Sequence, residues 1–272
     1  HYMLYEVLDK NSTQSLQVFS SYVNEYFQQY EAMLEIYTKS DLIINLDDNQ
    51  EKIDEVRTLF KRDSEHNSSI YAQYAGYAVS GNHIHYPKNP LPKDYDPRRR
   101  QWYIDATEAK GSIAYSEVYI DAMTGKNTIT VSKAMYDDAG KQTGVCGIDL
   151  ALDELALQLA KTKIGKNTEI LIADKKDRLI SSSSEERIKK LSDDSNKEEM
   201  LSFVKNVKER ADKDTVFIKR VKIEKQGWEI YAVYDKDAET EMLKSILLNN
   251  IIMVIIMSVV AIFGSLLLRG NI

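Results

Sequence analysis

The pattern of hydrophobic and polar positions begins with a long amphipathic helix. Apolar residues recur at alternating spacings of three and four, which is the periodicity of one helix face. The members of this stripe are Leu16, Phe19, Val23, Tyr26, Tyr30, Met33 and Tyr37. Polar Gln, Ser, Asn and Glu residues surround it, so the apolar face is narrow. Such a stripe fits either the chain's own core or a partner helix, and we expect part of it to form a homodimer interface.

After a second helix predicted at residues 49–62, the pattern becomes that of an antiparallel sheet. Runs rich in β-branched and aromatic residues alternate with Gly, Asn and Asp turns, as in hairpins and meanders. The predicted strands cover residues 70–79, 82–86, 113–121, 127–136 and 142–150. A short helix is expected between the second and third strands, with Asp96-Pro97 as its start and Gly111 as its stop. A helix at 152–162 closes this unit.

The pattern then repeats on a smaller scale. A hairpin at 169–173 and 179–182 is followed by a polar helical stretch and by strands at 215–223 and 227–234. The fold class predicted from these elements is α+β, with two tandem antiparallel-sheet modules behind a long N-terminal helix.

The last part of the chain predicts a membrane anchor. Residues 246–268 carry no charged side chain, and at about 1.5 Å per residue they span roughly 34 Å, enough to cross a bilayer core of about 30 Å. Arg269 follows directly, which favours a cytoplasmic C-terminus and an extracytoplasmic location for everything before about residue 246. The expected organisation is a stalk helix (1–48), a membrane-distal module (49–162), a membrane-proximal module (163–235) and a C-terminal helix with the transmembrane segment (236–272).

Composition and motif content narrow the function. The balance of 36 Lys and Arg against 42 Asp and Glu gives a net charge of −6, which argues against nucleic acid as a partner. The sequence has one cysteine, Cys146, so no intramolecular disulfide can form. It shows no glycine-rich phosphate loop, zinc-ligand spacing or G-x-S-x-G motif, and we therefore expect no enzyme activity, cofactor or metal.

Two clusters of opposite hydrogen-bonding character stand out instead. The segment Tyr95 to Tyr103 places Arg100, Trp102 and Tyr103 at a helix start, where guanidinium, indole and phenol groups can donate to a carboxylate. Asp121 ends one predicted strand and Asp149 lies near the end of another, with a single strand between them. Two carboxylates at one edge of a sheet can hold an ammonium group. Together the clusters describe a site for a zwitterion.

With these elements and residues, the chain resembles the extracytoplasmic double Cache (dCache) sensor domain of bacterial chemoreceptors and sensor kinases, whose two modules are PAS-like. The resemblance covers almost the entire chain. It extends to the amino-acid-binding motif of that family, which the sequence matches at Tyr95, Arg100, Trp102, Tyr103, Tyr119, Asp121 and Asp149. In the family, the residues matching Arg100 and Trp102, assisted by Tyr103, hold the ligand carboxylate. Those matching Tyr119, Asp121 and Asp149 hold its amino group, and the counterpart of Tyr95 also contacts the ligand.

The resemblance implies the ligand-binding domain of a transmembrane chemotaxis receptor of the methyl-accepting type, which senses free L-amino acids and signals by helix displacement. The alternatives are the sensor domain of a histidine kinase or another output protein that binds a small carboxylate or amine, or a membrane-anchored adhesion or enzyme domain. His83 and His85 share one face of a strand. Without a third ligand in the sequence pattern, they are expected to line a wall or face solvent rather than hold a metal.

Overall fold

The structure is a computed structural model of the chain, and it describes residues 2–46, 50–121, 126–161, 168–191, 197–236, 244–245 and 247–258. The α-helices are α1 (Tyr2–Tyr37), α2 (Asp41–Ile44), α3 (Gln50–His66), α4 (Gln101–Glu108), α5 (Asp153–Lys161), α6 (Glu185–Leu191) and α7 (Lys197–Asp212), and a 3₁₀ turn covers Pro97–Arg99. The strands are β1 (Ile70–Tyr77), β2 (His83–Tyr86), β3 (Ala114–Tyr115), β4 (Tyr119–Ile120), β5 (Asn127–Tyr136), β6 (Gln142–Ala151), β7 (Thr168–Ala173), β8 (Leu179–Ser182), β9 (Val216–Ile223) and β10 (Trp228–Asp235).

Two antiparallel sheets form along the chain. In the first sheet the strand order is β2-β1-β6-β5-β3, with β4 also paired to β5. In the second the order is β8-β7-β10-β9. The α+β fold predicted from the sequence, a long helix followed by antiparallel sheets, is therefore confirmed.

Helix α1 packs on both sheets with apolar side chains. Phe27 is fully buried and makes edge-to-face contacts with Tyr115 of the first sheet, at 5.4 Å between ring centroids, and with Trp228 of the second, at 5.5 Å. From Leu16 to Tyr37 the stripe is buried in the chain's own core, apart from the partly buried Met33. The face that the sequence suggested as a homodimer interface is thus occupied within one chain, because the two sheets need an apolar surface to cover them.

Two predicted elements are interrupted in the structure. The strand expected at residues 113–121 is split into β3 and β4, since Ser116 Oγ accepts a hydrogen bond from the backbone N–H of Thr130 at 2.9 Å and turns the chain aside. The helix expected from Pro97 onwards is split at Arg100, whose backbone is extended with φ −90° and ψ 143°. Asp96 caps the 3₁₀ turn as predicted, because its carboxylate accepts from the N–H of Arg98.

The expected membrane span lies partly outside the described residues. Residues 247–258 form a helix whose apolar side chains are exposed, while residue 246 and residues 259–272 are not described. Within the described part of the chain, none of the helices is long and apolar enough to cross a membrane.

Candidate ligand-binding site

A cleft of about 1170 Å³ opens on the first sheet and brings together most of the residues singled out in the sequence. Its walls come from β1, β2, β4, β5 and β6 and from the segment that leads into α4. Six of the seven predicted site residues line it, namely Tyr95, Arg100, Trp102, Tyr119, Asp121 and Asp149. The donor and acceptor clusters, far apart in the sequence, therefore face the same space.

The acidic side of the cleft is built around Asp149. Strand register places Asp149 of β6 opposite Thr130 of β5, and its Oδ1 accepts hydrogen bonds from Thr130 Oγ1 and from the Tyr74 hydroxyl, both at 2.6 Å. The Tyr119 hydroxyl lies 3.3 Å from Thr130 Oγ1. Burial raises the pKa of Asp149 to about 6, and the neighbouring charge of Asp121 acts in the same direction. The site therefore holds a carboxylate that would gain from a cation beside it.

Glycine at position 147 makes this arrangement possible. Gly147 lies two residues before Asp149 on the same face of β6, under the ring of Tyr74. A Cβ atom there would stand 2.2 Å from Tyr74 Cε2, closer than any real contact. The missing side chain lets Tyr74 lie flat on the strand and reach Asp149.

The basic side of the cleft is built where the 3₁₀ turn meets α4. Arg100 occupies the extended residue between them, and its guanidinium carbon lies 5.3 Å from the centre of the Tyr95 ring, a cation–π distance. Trp102 packs on Tyr74 with ring centroids 4.7 Å apart. Its backbone carbonyl accepts a hydrogen bond from Ser132 Oγ at 2.9 Å, which fixes the start of α4 against the sheet.

Tyr103 is the predicted site residue that the structure does not bring to the cleft. It is buried in a small core with Ala106, Ala134 and Val145, and its ring packs against that of Trp102 at 5.6 Å. A helical residue next to Trp102 necessarily points in another direction, because successive residues are about 100° apart around the axis. Tyr103 is therefore placed to orient Trp102 from behind.

Sequence reasoning missed several cleft residues. Tyr74 and Thr130 pair with the key carboxylate, and Thr130 could have been found by aligning the predicted meander, since it lies directly across from Asp149. Arg99 is exposed and also lines the cleft. Arg98 is tied to Asp96 by a salt bridge at 2.8 Å and donates to the carbonyl of Ala78 at 3.2 Å, so it fastens the end of β1.

His83 and His85 also line the cleft. Their rings stack with centroids 4.9 Å apart and an angle of 23°. Among the described residues, no cluster of three or more His, Cys, Asp or Glu side chains could hold a metal. The pair belongs to the aromatic wall that continues to Tyr95 and Trp102.

The second sheet reaches this cleft through the turn between β7 and β8. Lys175 in that turn lines the cleft, as does Glu117 from the segment between β3 and β4. Glu117 forms salt bridges with Lys176 at 2.7 Å and with Arg178 at 3.1 Å, and these cations hold the pKa of its carboxyl below the usual value, the hydrogen bond from Lys176 being the main cause. One side of the cleft is thus attached to the second sheet.

A comparison with protein families identifies the family of this chain. The dCache_1 family model, described as a Cache domain, matches residues 3–243. The chain belongs to the Cache-domain family. In chemoreceptors the dCache domain is the extracellular, ligand-binding and non-enzymatic part of a membrane protein.

Related proteins are chemotaxis receptors. The methyl-accepting chemotaxis protein McpB of Bacillus subtilis is 30% identical over 214 residues, which are 76% of this chain and 30% of that protein. TlpB of the same organism is 36% identical over 107 residues, or 39% of this chain and 15% of that protein. This Cache domain therefore spans less than a third of the length of the curated relatives it matches.

Solved structures with the same fold come from the same class of receptor. The ligand-binding domain of the Pseudomonas aeruginosa amino-acid chemoreceptor PctC, in complex with GABA, has a TM-score of 0.62 at 21% identity and covers 81% of this chain and 97% of its own. The sensory domain of Campylobacter jejuni Tlp3 with isoleucine bound has a TM-score of 0.64 at 23% identity, with 87% and 96% covered. At these identities the likeness establishes the fold.

Proposed function

We propose that this Cache domain is the extracytoplasmic ligand-binding domain of a transmembrane chemotaxis receptor of the methyl-accepting type, and that it senses free L-amino acids. The observation that carries the proposal is the cleft itself. Its lining includes Arg100 and Trp102, whose guanidinium and indole groups can donate hydrogen bonds, and the carboxylates of Asp121 and Asp149. The chemotaxis receptors among the relatives, and the amino-acid complexes among the proteins with this fold, support the same reading.

The donors would hold the ligand carboxylate. A guanidinium presents parallel N–H groups whose spacing matches two carboxylate oxygens. Arg100 stands at the extended residue before α4, with its charge against the face of Tyr95. In this proposal Tyr95 closes over the ligand, while Tyr103 acts from the core by keeping Trp102 in position.

The acidic side would hold the ligand ammonium group. Oδ1 of Asp149 accepts hydrogen bonds from Tyr74 and Thr130, and Tyr119 also interacts with this carboxylate, so the group is held in a fixed orientation for the ligand. Asp121 and Tyr119 line the same side of the cleft. Because burial makes the lone carboxylate unfavourable, a cationic amine relieves a penalty that a neutral ligand would leave in place.

Signalling would pass through α1, which is attached to both sheets. Glu35 of α1 pairs with Lys133 of the first sheet at 2.8 Å, and Glu31 pairs with Lys225, next to the second sheet, at 2.7 Å. Closure of the cleft around a ligand changes the position of the first sheet relative to this helix. The ligand drives the change to the extent that it binds the closed state more tightly.

Calorimetric titration of the 272-residue chain in a mild detergent with each standard L-amino acid tests the proposal. At least one amino acid should bind, and both Arg100→Ala and Asp149→Ala should weaken it strongly. Arg62→Ala on α3 and Asp138→Ala in the β5–β6 turn are matched controls, since both side chains lie outside the cleft. The proposal is wrong if no amino acid binds. Sensitivity to Arg100→Ala alone would instead identify a plain carboxylate ligand, and sensitivity to Asp149→Ala alone a plain amine.

A further inference from the structure

The imidazole of His83 is an unusual polar group in the cleft wall. Both of its ring nitrogens are buried and lack a hydrogen-bond partner. The buried polar atoms on the acidic side differ in this respect, because the Tyr74 and Thr130 hydroxyls both donate to Asp149. A buried donor or acceptor without a partner costs roughly 1–3 kcal/mol, so native proteins rarely keep one without a use.

The surroundings of His83 fix its charge state. Its ring is enclosed by His85 and Tyr95, with centroids at 4.9 Å in both cases, and by Trp102 at 6.2 Å. Burial, and to a lesser extent His85 and Arg100, lower the pKa of His83 to about 3. At neutral pH the ring is uncharged and presents one N–H donor and one nitrogen acceptor.

The position of His83 separates it from the amine-binding side. His83 lies on the edge strand β2, and β1 stands between this strand and β6, which carries Asp149. His83 pairs with Gly76 of β1, and Gly76 pairs with Val145, four residues before Asp149 on β6. Two strand spacings of about 10 Å in total and four residues of about 13 Å along the strand separate the backbones of His83 and Asp149, so a group that contacts His83 is not the ammonium group held at Asp149. The ligand carboxylate is assigned to Arg100 and Trp102. Trp102 also lies near His83, but a carboxylate only accepts hydrogen bonds and would satisfy one of the two His83 nitrogens. The part of the ligand that could satisfy both is therefore its side chain.

We propose that His83 selects the ligand side chain, favouring amino acids that carry a neutral group able both to donate and to accept a hydrogen bond, that is, a carboxamide or a hydroxyl. The inference rests on the proposed function and adds the ligand class. A carboxamide or hydroxyl satisfies both nitrogens of a neutral imidazole, whereas a carboxylate only accepts and an alkyl group does neither. A site with buried polar groups rejects the apolar analogue because those groups then stay unpaired.

Asparagine and leucine are the probes, since their side chains have the same branched shape and differ in hydrogen bonding. Calorimetric titration of the 272-residue chain should show tighter binding of L-asparagine than of L-leucine. His83→Phe, which keeps an aromatic ring among Tyr95, His85 and Trp102, should reduce this preference by about tenfold or more. His83→Gln, which restores a donor and an acceptor, should keep asparagine ahead of leucine. A folding equilibrium raises the apparent dissociation constants of both ligands by the same factor, so a partly unstable variant still reports their ratio.

Other outcomes overturn the inference in distinguishable ways. Equal weakening of both ligands by His83→Phe would place His83 at the shared end of the ligand or in the fold alone, while the proposed function would stand. A wild-type preference for L-leucine over L-asparagine would also overturn this inference and leave the proposed function standing. If the wild-type chain binds no L-amino acid at all, the proposed function fails and this inference fails with it.

Discussion

Replacement of Asp149 by asparagine should stabilise the fold at neutral pH in the absence of ligand. The pKa of Asp149 in the folded protein, about 6, lies above the ordinary value of 3.8 because the carboxylate is buried. The folded state therefore binds the proton more tightly than the unfolded state. Stability decreases as the pH rises between these values, and the whole penalty is present above about pH 6.

The size of this stabilisation follows from the pKa shift of Asp149. About two pKa units correspond to roughly 3 kcal/mol as an upper limit, and we expect about 1–2 kcal/mol because solvent in the cleft screens the charge. Asparagine carries no charge, and its side-chain oxygen can still accept from the Tyr74 and Thr130 hydroxyls that now bond to Asp149. Removal of the charge thus leaves the local hydrogen bonds in place.

Urea denaturation at about pH 7.5 and about pH 4.5 separates the effect of the Asp149 charge from that of its hydrogen bonds. Asp149→Asn should raise the free energy of unfolding at the higher pH and have a much smaller effect at the lower one, where the wild-type carboxyl is protonated. Glu55→Gln, on the exposed face of α3, is the control and should change neither. A variant that is less stable than wild type at about pH 7.5, or a difference that does not vary with pH, would refute the reasoning.

Two further predictions concern the same side of the cleft. Because an ammonium ligand needs Asp149 ionised, affinity for an amino acid should rise with pH through about 6 and fall about tenfold for each pH unit below it. Calorimetry across this range measures the slope, and an affinity that does not change with pH would contradict the role assigned to Asp149. Gly147→Ala should push the Tyr74 ring away from Asp149, since the new Cβ would stand 2.2 Å from Tyr74 Cε2. We expect a loss of about 1–3 kcal/mol in stability and weaker ligand binding; an unchanged melting temperature and affinity would show that the ring moves freely.

Helices and strands could be predicted well where the chain has a single regular hydrophobic spacing. The α1 stripe was found from its spacing, yet Phe27 and Leu34 lie outside the strict three-four repeat and are fully buried. A narrow stripe suffices for one partner helix, but α1 packs on two sheets and needs a wider face. The second surface could not be read from the helix alone, because it is created by the position of β10 and its neighbours.

Most of the residues selected from the sequence line the cleft, but its detailed geometry could not be predicted. Arg100 and Asp149 could be selected because charged groups near strand ends and helix starts are candidates for ligand contact. The break at Ser116 could not be foreseen, since it depends on a side chain that competes for the backbone N–H of Thr130. The buried nitrogens of His83 are likewise a property of packing among residues distant in sequence.

The salt bridges of Glu117 bear on how such domains can be exchanged between receptors. The turn between β7 and β8 supplies Lys175 to the cleft and two cations to Glu117, although the rest of the site comes from the first sheet. A chimaera that combines the first sheet of one receptor with the second sheet of another would lack Lys175 in the cleft wall and the two salt bridges of Glu117. To transfer the proposed ligand-binding site, a graft should therefore carry both the first sheet and that turn.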